Sequence, residues 1–154
     1  MAFDALRRRV RYHTWAMATL ADALADADAP RALRPFAHAL AADQIWLRRL
    51  RGEPTDGVAV WPELSADGCR HRAADDAADL TALFDALDDA ALTRTVSYRT
   101  TRGVAHENTV ADVLEHLLLH AAHHRGQANV ALRAAGAAPP HVDFIAWLRA
   151  GEPS

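Results

Sequence analysis

Residues 109–136 read TVADVLEHLLLHAAHHRGQANVALRAAG, a stretch that opens with a helix cap and closes with a helix stop. The Thr109 side chain can accept a free backbone N–H of the first turn. Asp112, three residues on, is an imperfect capping-box partner, because Glu or Gln reaches back better from that position. The run predicts a helix to about Ala135, ended by Gly136, with Pro139 and Pro140 barring its continuation.

Helical spacing recurs upstream. From Phe3 to about Ala27, apolar residues fall at Leu6, Val10, Trp15 or Met17, Leu20 and Leu24, with Arg7, Arg8, Arg9 and Arg11 mostly on the other side. Pro30 ends that helix or opens the next, since proline suits a first turn. From Arg31 to Arg51 the stripe is Phe36, Leu40, Ile45 or Leu47, and Leu50, and Pro35 either kinks the helix or marks its first turn. Arg48, Arg49 and Arg51 lie where the helix dipole favours cations, and Gly52 and Pro54 stop the helix.

Residues 53–68 hold Pro54, Gly57, Pro62 and Gly68 and read as a long loop, of the kind that often lies over a site. A third helix is predicted over Arg70–Leu87 from Leu80, Leu83, Phe84 and Leu87. Leu92–Arg99 then changes character: threonine, valine and tyrosine partly alternate, Thr100–Gly103 can turn, and Val104–Thr109 can pair back. Val142–Ala150 predicts a short amphipathic helix covering the end of the assembly. The expectation is one all-α domain over residues 1–154: a four-helix bundle with a short β-hairpin insertion and a short C-terminal helix. There is no internal repeat, and the long connections leave helix order and handedness open.

Composition agrees. The chain is 154 residues long, 51% hydrophobic and 24% charged, rich in alanine and leucine and poor in β-branched residues. Its formal charge of −3 argues against nucleic acid as a partner. No apolar run reaches the ~20 residues of a membrane span, and MAFDALRRRVRYHTWAM lacks the apolar core of a signal peptide. The single cysteine, Cys69, excludes an internal disulfide framework. It reads as a spare thiol in a loop, and the expected location is the cytoplasm.

The chain has nine histidines, and His116, His120, His123 and His124 crowd the fourth helix. Residues four apart share a helix face, so two imidazoles at that spacing can point at one ion, as in HExxH zinc helices. The glutamate of HExxH is missing, so that protease chemistry is not implied. A third ligand must come from another helix, and His38, between Ala37 and Ala39, is the natural candidate. Three imidazoles leave a coordination position open, the mark of catalytic rather than closed structural sites. Spacing does not choose between the 116/120 and 120/124 pairs. A lone histidine on a buried face is more often a hydrogen-bonded core residue.

The segments LLLHAAHHRGQ, FAHALAADQIWLRRLRGEP and YHTWAM, with the tail PPHVDFIAWLR, together resemble the DinB/YfiT-like superfamily over nearly the whole chain. The resemblance implies a four-helix bundle, often dimeric, with one divalent metal held by His38, His120 and His124. It places His116 a turn away and His123 beside the site or in an interface. His13 stands where relatives often carry asparagine and reads as a pocket or core residue; Leu119 stands where a polar residue is common. Arg125 is expected to pair with an acid such as Asp43, Gly126 to let another helix pack closely, and Gln127 to orient a ligand. His71, His106 and His141 read as solvated.

By the same resemblance, the expected function is a metal-dependent transferase acting on a small molecule with a bacillithiol-, mycothiol- or glutathione-type thiol. A metal-dependent hydrolase is the second choice. A non-catalytic binding or scaffold protein with a structural or incidental metal is the alternative from another class. Imidazole ligands suit zinc or nickel first, with iron or manganese next. A pocket lined by Trp15, Trp46 or the loop around Trp61 would favour an enzyme. A homodimer is expected, and neither nucleic acid nor membrane is.

Overall fold

The computed structural model describes residues 2–154. In chain order the elements are α1 (Ala2–Ala25), α2 (Pro30–Arg51), α3 (Ala66–Ala86), a 3-10 turn (Ala91–Thr93), β1 (Thr95–Arg99), β2 (Ala105–Thr109), α4 (Val110–Ala134) and α5 (Phe144–Arg149). This is the expected all-α bundle with its hairpin and short last helix.

Local chemistry sets most boundaries. Pro30 opens α2 where its missing N–H costs nothing, and the helix runs through Pro35, giving up one backbone bond. Gly52, at φ +70°, ends α2 in the left-handed conformation that suits glycine, and the N–H groups of Gly52 and Glu53 return to the carbonyls of Arg49 and Arg48. Thr109 and Asp112 form a complete capping box: Thr109 Oγ1 accepts from the Asp112 N–H, and the Asp112 carboxylate accepts from the Thr109 N–H. Asp112 thus reaches as well as a glutamate would, because Thr109 leaves the end of a strand already turned toward the helix.

The start of α3 differs from the sequence reading. It begins at Ala66 rather than Arg70, because the Ser65 side chain accepts the Gly68 N–H at 3.1 Å and holds the first turn despite the glycine. Cys69 and His71 therefore lie on a helix and not in a loop. Cys69 is fully buried, and burial pushes its thiol up to about 11. His71 is exposed, as expected.

The packing is four-cornered. α2 lies most extensively against α4 and also against α3; α1 lies against α3 and α4; the hairpin rests on α2 and α4. The strands pair antiparallel with Tyr98 opposite His106. Two apolar cores result. One gathers Leu20, Leu24, Phe36, Leu40 and Leu132; the other gathers Leu6, Val10, Leu47, Leu80, Phe84, Leu114, Leu117 and Val96 of the hairpin. Along the first three helices, buried polar residues fall between the segments that feed these cores: His13, Asp43 and Asp76. Arg125 and His124 join them from α4. α5 lies along the middle of α1 rather than over the end of the bundle: the Phe144 and Trp147 rings are 5.1 Å and 5.8 Å from the Tyr12 ring, and Trp147 Nε1 donates to Pro153 O at 2.8 Å. No helix among the described residues is long and apolar enough to cross a membrane.

Gly126 corrects another expectation. It is exposed, and a Cβ built on it meets nothing within 4 Å, so no element of the chain approaches it closely.

Candidate metal centre

The extensive α2–α4 contact brings His38 against His120 and His124. One ring nitrogen from each lies within 4.8 Å of the others, a spacing that could hold a metal ion. The ring centroids are 5.0 Å (His38–His120), 4.5 Å (His38–His124) and 4.5 Å (His120–His124) apart. His116 continues the stripe, its ring 5.7 Å from that of His120, and lies outside the group of three. The choice between histidine pairs is thus made by where α2 crosses α4.

Second partners aim two of the rings. His38 Nδ1–H donates to Val60 O at 2.7 Å, and His124 Nδ1–H donates to Gln127 Oε1 at 2.7 Å. Both acceptors are oxygens, so the proton sits on Nδ1 and the Nε2 lone pair is free. His120 is different: its Nδ1 is buried without a partner among the described residues. An orphaned buried nitrogen costs about 1–3 kcal/mol, which a bound cation would remove. The donor set, three imidazoles each with a ring nitrogen that no protein group engages, fits a divalent metal.

The electrostatics point the same way. Burial, then the neighbouring histidines, push His120 down to about 4. Burial likewise lowers His124, partly opposed by its bond to Gln127, and burial together with the Arg49 charge lowers His116. These rings are neutral near pH 7, the state in which imidazole binds metal.

The long loop after α2 lies over this site. It supplies the Val60 carbonyl, and the Trp61 ring stacks on His38 at 3.8 Å, nearly parallel. A cleft of about 440 Å³ lined by Trp61, Arg34 and Ala37 flanks His38. On the hairpin side a smaller cleft of about 190 Å³ is lined by Trp46, Tyr98 and His116. Trp15 lines a third, of about 410 Å³, between α1 and α3 on the far side of the bundle. Clefts lined by Trp15, Trp46 and Trp61 exist, but none of the three is lined by His38, His120 or His124.

The remaining site residues separate into groups. His13, Asp43 and Arg125 form one buried chain. His13 Nε2 donates to Asp43 Oδ2 at 3.0 Å, and Arg125 Nη1 donates to His13 Nδ1 at 3.3 Å. Arg125 therefore reaches Asp43 through His13, not by the direct pair anticipated, and its guanidinium also lies over the Tyr12 ring at 5.5 Å. His123 is exposed, and its Nε2 meets Gln127 Nε2 at 3.0 Å, so Gln127 links His123 to His124.

Two buried charges escaped the sequence reading. Asp76 is 3% exposed on α3, and burial, then the Asp43 charge, push its carboxyl up to about 8. Its signal was phase: positions 69, 73, 76 and 80 share one helix face, and the other three are Cys69, Ala73 and Leu80. Arg49, read as a dipole partner, is buried over Trp46 (4.3 Å) and Tyr98 (4.8 Å), with Nη2 donating to Arg99 O.

The chain matches the family model described as "DinB family" over residues 25–153. Neither the curated proteins nor the solved structures gave a match.

Proposed function

The chain belongs to the DinB family, and on that premise we propose that it is a divalent-metal-dependent enzyme whose ion is held by His38, His120 and His124. The observation that carries this reading is the convergence of three imidazoles, two of them aimed by oxygens and one left with a buried unpartnered nitrogen. Three protein ligands leave an open position, and the ion would supply Lewis acidity that holds a thiol or a water as its conjugate base near neutral pH. The reaction we favour is thiol S-transfer to a small molecule, with hydrolysis second.

The chain's own contributions are positional. Val60 and Gln127 fix ring orientation, a service generally worth 10–100-fold in metal affinity. Trp61 and Trp46 wall the two flanking clefts. Zinc or nickel suits the donor set first, iron or manganese next. The buried thiol of Cys69 and the net charge support a cytoplasmic protein that acts on small molecules rather than nucleic acid.

One observation favours the non-catalytic reading. The Trp61 ring lies face-on over His38, and the flanking clefts are lined by Trp61 and His116 rather than by the three converging rings.

Elemental analysis of tag-free protein, with the His38→Ala and His120→Ala variants alongside, tests the site. We expect about one equivalent of divalent metal in the parent, lost in both variants while far-UV circular dichroism is retained. Stoichiometric metal in a folded His120→Ala variant overturns the ligand assignment. Turnover of an electrophile with a low-molecular-weight thiol by the loaded protein, and not by the variants, separates the transferase from the binding protein.

A further inference from the structure

The cleft between α1 and α3 takes no part in the histidine cluster, and its volume of about 410 Å³ is in the range of small-molecule sites. Its floor is Val10, Leu80 and Phe84, buried members of the apolar core that includes the hairpin's Val96. Trp15 forms part of its wall. Ala18 on α1 and Ala77 on α3 also line it, and larger side chains at those two positions would fill the gap. The space is therefore kept open by small residues on two helices that otherwise pack together.

The polar groups around the cleft say what fits it. Arg7 and Arg11 are the charged side chains in its lining, and each already has a carboxylate. Arg7 Nη2 donates to Asp85 at 2.8 Å, and Arg11 Nη1 donates to Glu152 at 3.4 Å. The hydroxyls of Thr14 and Thr81 donate to carbonyls of their own helices, at 2.9 Å and 2.8 Å. No charge in the lining is left without a counter-charge, so an ionised ligand would give up water for an apolar floor.

Pro153 and Ser154 complete the rim. They are held there at a conformational cost: Glu152 has φ +58°, the one positive φ outside glycine among the described residues. That left-handed conformation costs a side-chain-bearing residue about 1–2 kcal/mol. The surrounding bonds hold it. The Glu152 N–H donates to Trp147 O at 3.0 Å, its carboxylate accepts from Arg8 and Arg11, and Pro153 O accepts from Trp147 Nε1 at 2.8 Å. A segment fastened in this way is a fixed edge of the cleft.

We propose that this cleft is a binding site for an uncharged, largely apolar small molecule, walled by Trp15, Ala18 and Ala77 and edged by Pro153 and Ser154. The proposal does not depend on the metal reading.

Fluorescence titration of the full chain with N-phenyl-1-naphthylamine, an uncharged apolar probe, tests it. The comparison probe is 8-anilinonaphthalene-1-sulfonate, which has the same ring skeleton and a sulfonate. We expect saturable uptake of one equivalent of the uncharged probe, with the sulfonate held at least ~10-fold more weakly. Ala18→Phe and Ala77→Phe, one from each helix, should each weaken uptake of the uncharged probe at least ~10-fold by filling the space. Far-UV circular dichroism and metal content should stay at the parent's values. Ala18 is exposed, so its variant folds even where Ala77→Phe does not. A parent without saturable uptake, whether the cleft closes or a second chain covers it, overturns the proposal. So does uptake indifferent to a folded phenylalanine variant, which places the probe on another surface. Sulfonate held as tightly as the uncharged probe overturns the ligand class.

Discussion

His38, His120 and His124 turn nitrogens toward one another within 4.8 Å, while nearby on the same bundle His13, Asp43 and Arg125 turn theirs into a chain of hydrogen bonds. Both groups are assembled from several helices and both are largely buried. Each group keeps one buried polar atom without a partner among the described residues, Asp43 Oδ1 in the chain and His120 Nδ1 in the cluster, so what separates them is how many ring nitrogens the protein itself engages. The His13 ring gives one nitrogen to Asp43 and receives Arg125 at the other, which leaves nothing for an external ligand. In the cluster, Val60 and Gln127 engage one nitrogen each of His38 and His124, and His120 keeps a buried nitrogen unpartnered. A core histidine and a candidate ligand are therefore told apart by counting partners, not by burial or by helix face.

The comparison can be broken most forcefully at Arg125. Burial presses its guanidinium below the ordinary value, and it pairs with Asp43 only through His13. Arg125→Leu leaves that chain without its cation, and the expected loss is about 3–5 kcal/mol by urea unfolding. Metal content per folded molecule should be unchanged. A variant that keeps its stability but sheds metal would show that the two groups are one site.

Asp76 gives a smaller effect of opposite sign. Burial, then the Asp43 charge, push its carboxyl up to about 8, well above the ordinary carboxylate range. From about pH 4 to pH 8 the unfolded chain gives up a proton that the folded chain keeps, so stability falls as pH rises across that window and levels off above it. Asp76→Asn should remove this slope, so its stability advantage over the parent grows from pH 4 to pH 8. Parallel thermal-melt curves for the two proteins between pH 4 and 8 would refute the raised carboxyl of Asp76.

The smallest test sharpens the cluster side. Gln127→Leu should weaken metal binding about 10-fold by freeing the His124 ring, while His123→Ala, at the exposed end of the same link, should change it less than about 3-fold. Competition with a colorimetric chelator reads both. Equal effects would assign His123 to the ligand set.

The two groups differed in how far they could be read in advance. The histidine cluster was visible because its signal is local: His120 and His124 are one turn apart, and His38 sits between small residues on another helix. The buried chain was visible only in part. His13, Asp43 and Arg125 were singled out, but the direct Arg125–Asp43 pair was wrong because an intervening ring depends on how α1 enters the bundle. Asp76 was missed, although its phase with Cys69, Ala73 and Leu80 marked it as inward, because an aspartate is read as solvated by default. Gly126 was misread for the converse reason: glycine in a helix suggests a close neighbour, and the space above this one is open.

Periodicity, caps and stops determined the helices, the hairpin and the pair of histidines on one face of α4, because each is set by interactions within a few residues. Ser65, which moved the start of α3 forward, belongs to that class as well, since its bond to Gly68 spans three positions. The tertiary structure decided the rest. It set which nitrogens have partners, which α4 histidines meet His38, and that a loop carbonyl and a tryptophan lie over the site. Each of those depends on the crossing of elements far apart in sequence, where a shift of one helical turn, about 5.4 Å, exchanges one neighbour for another.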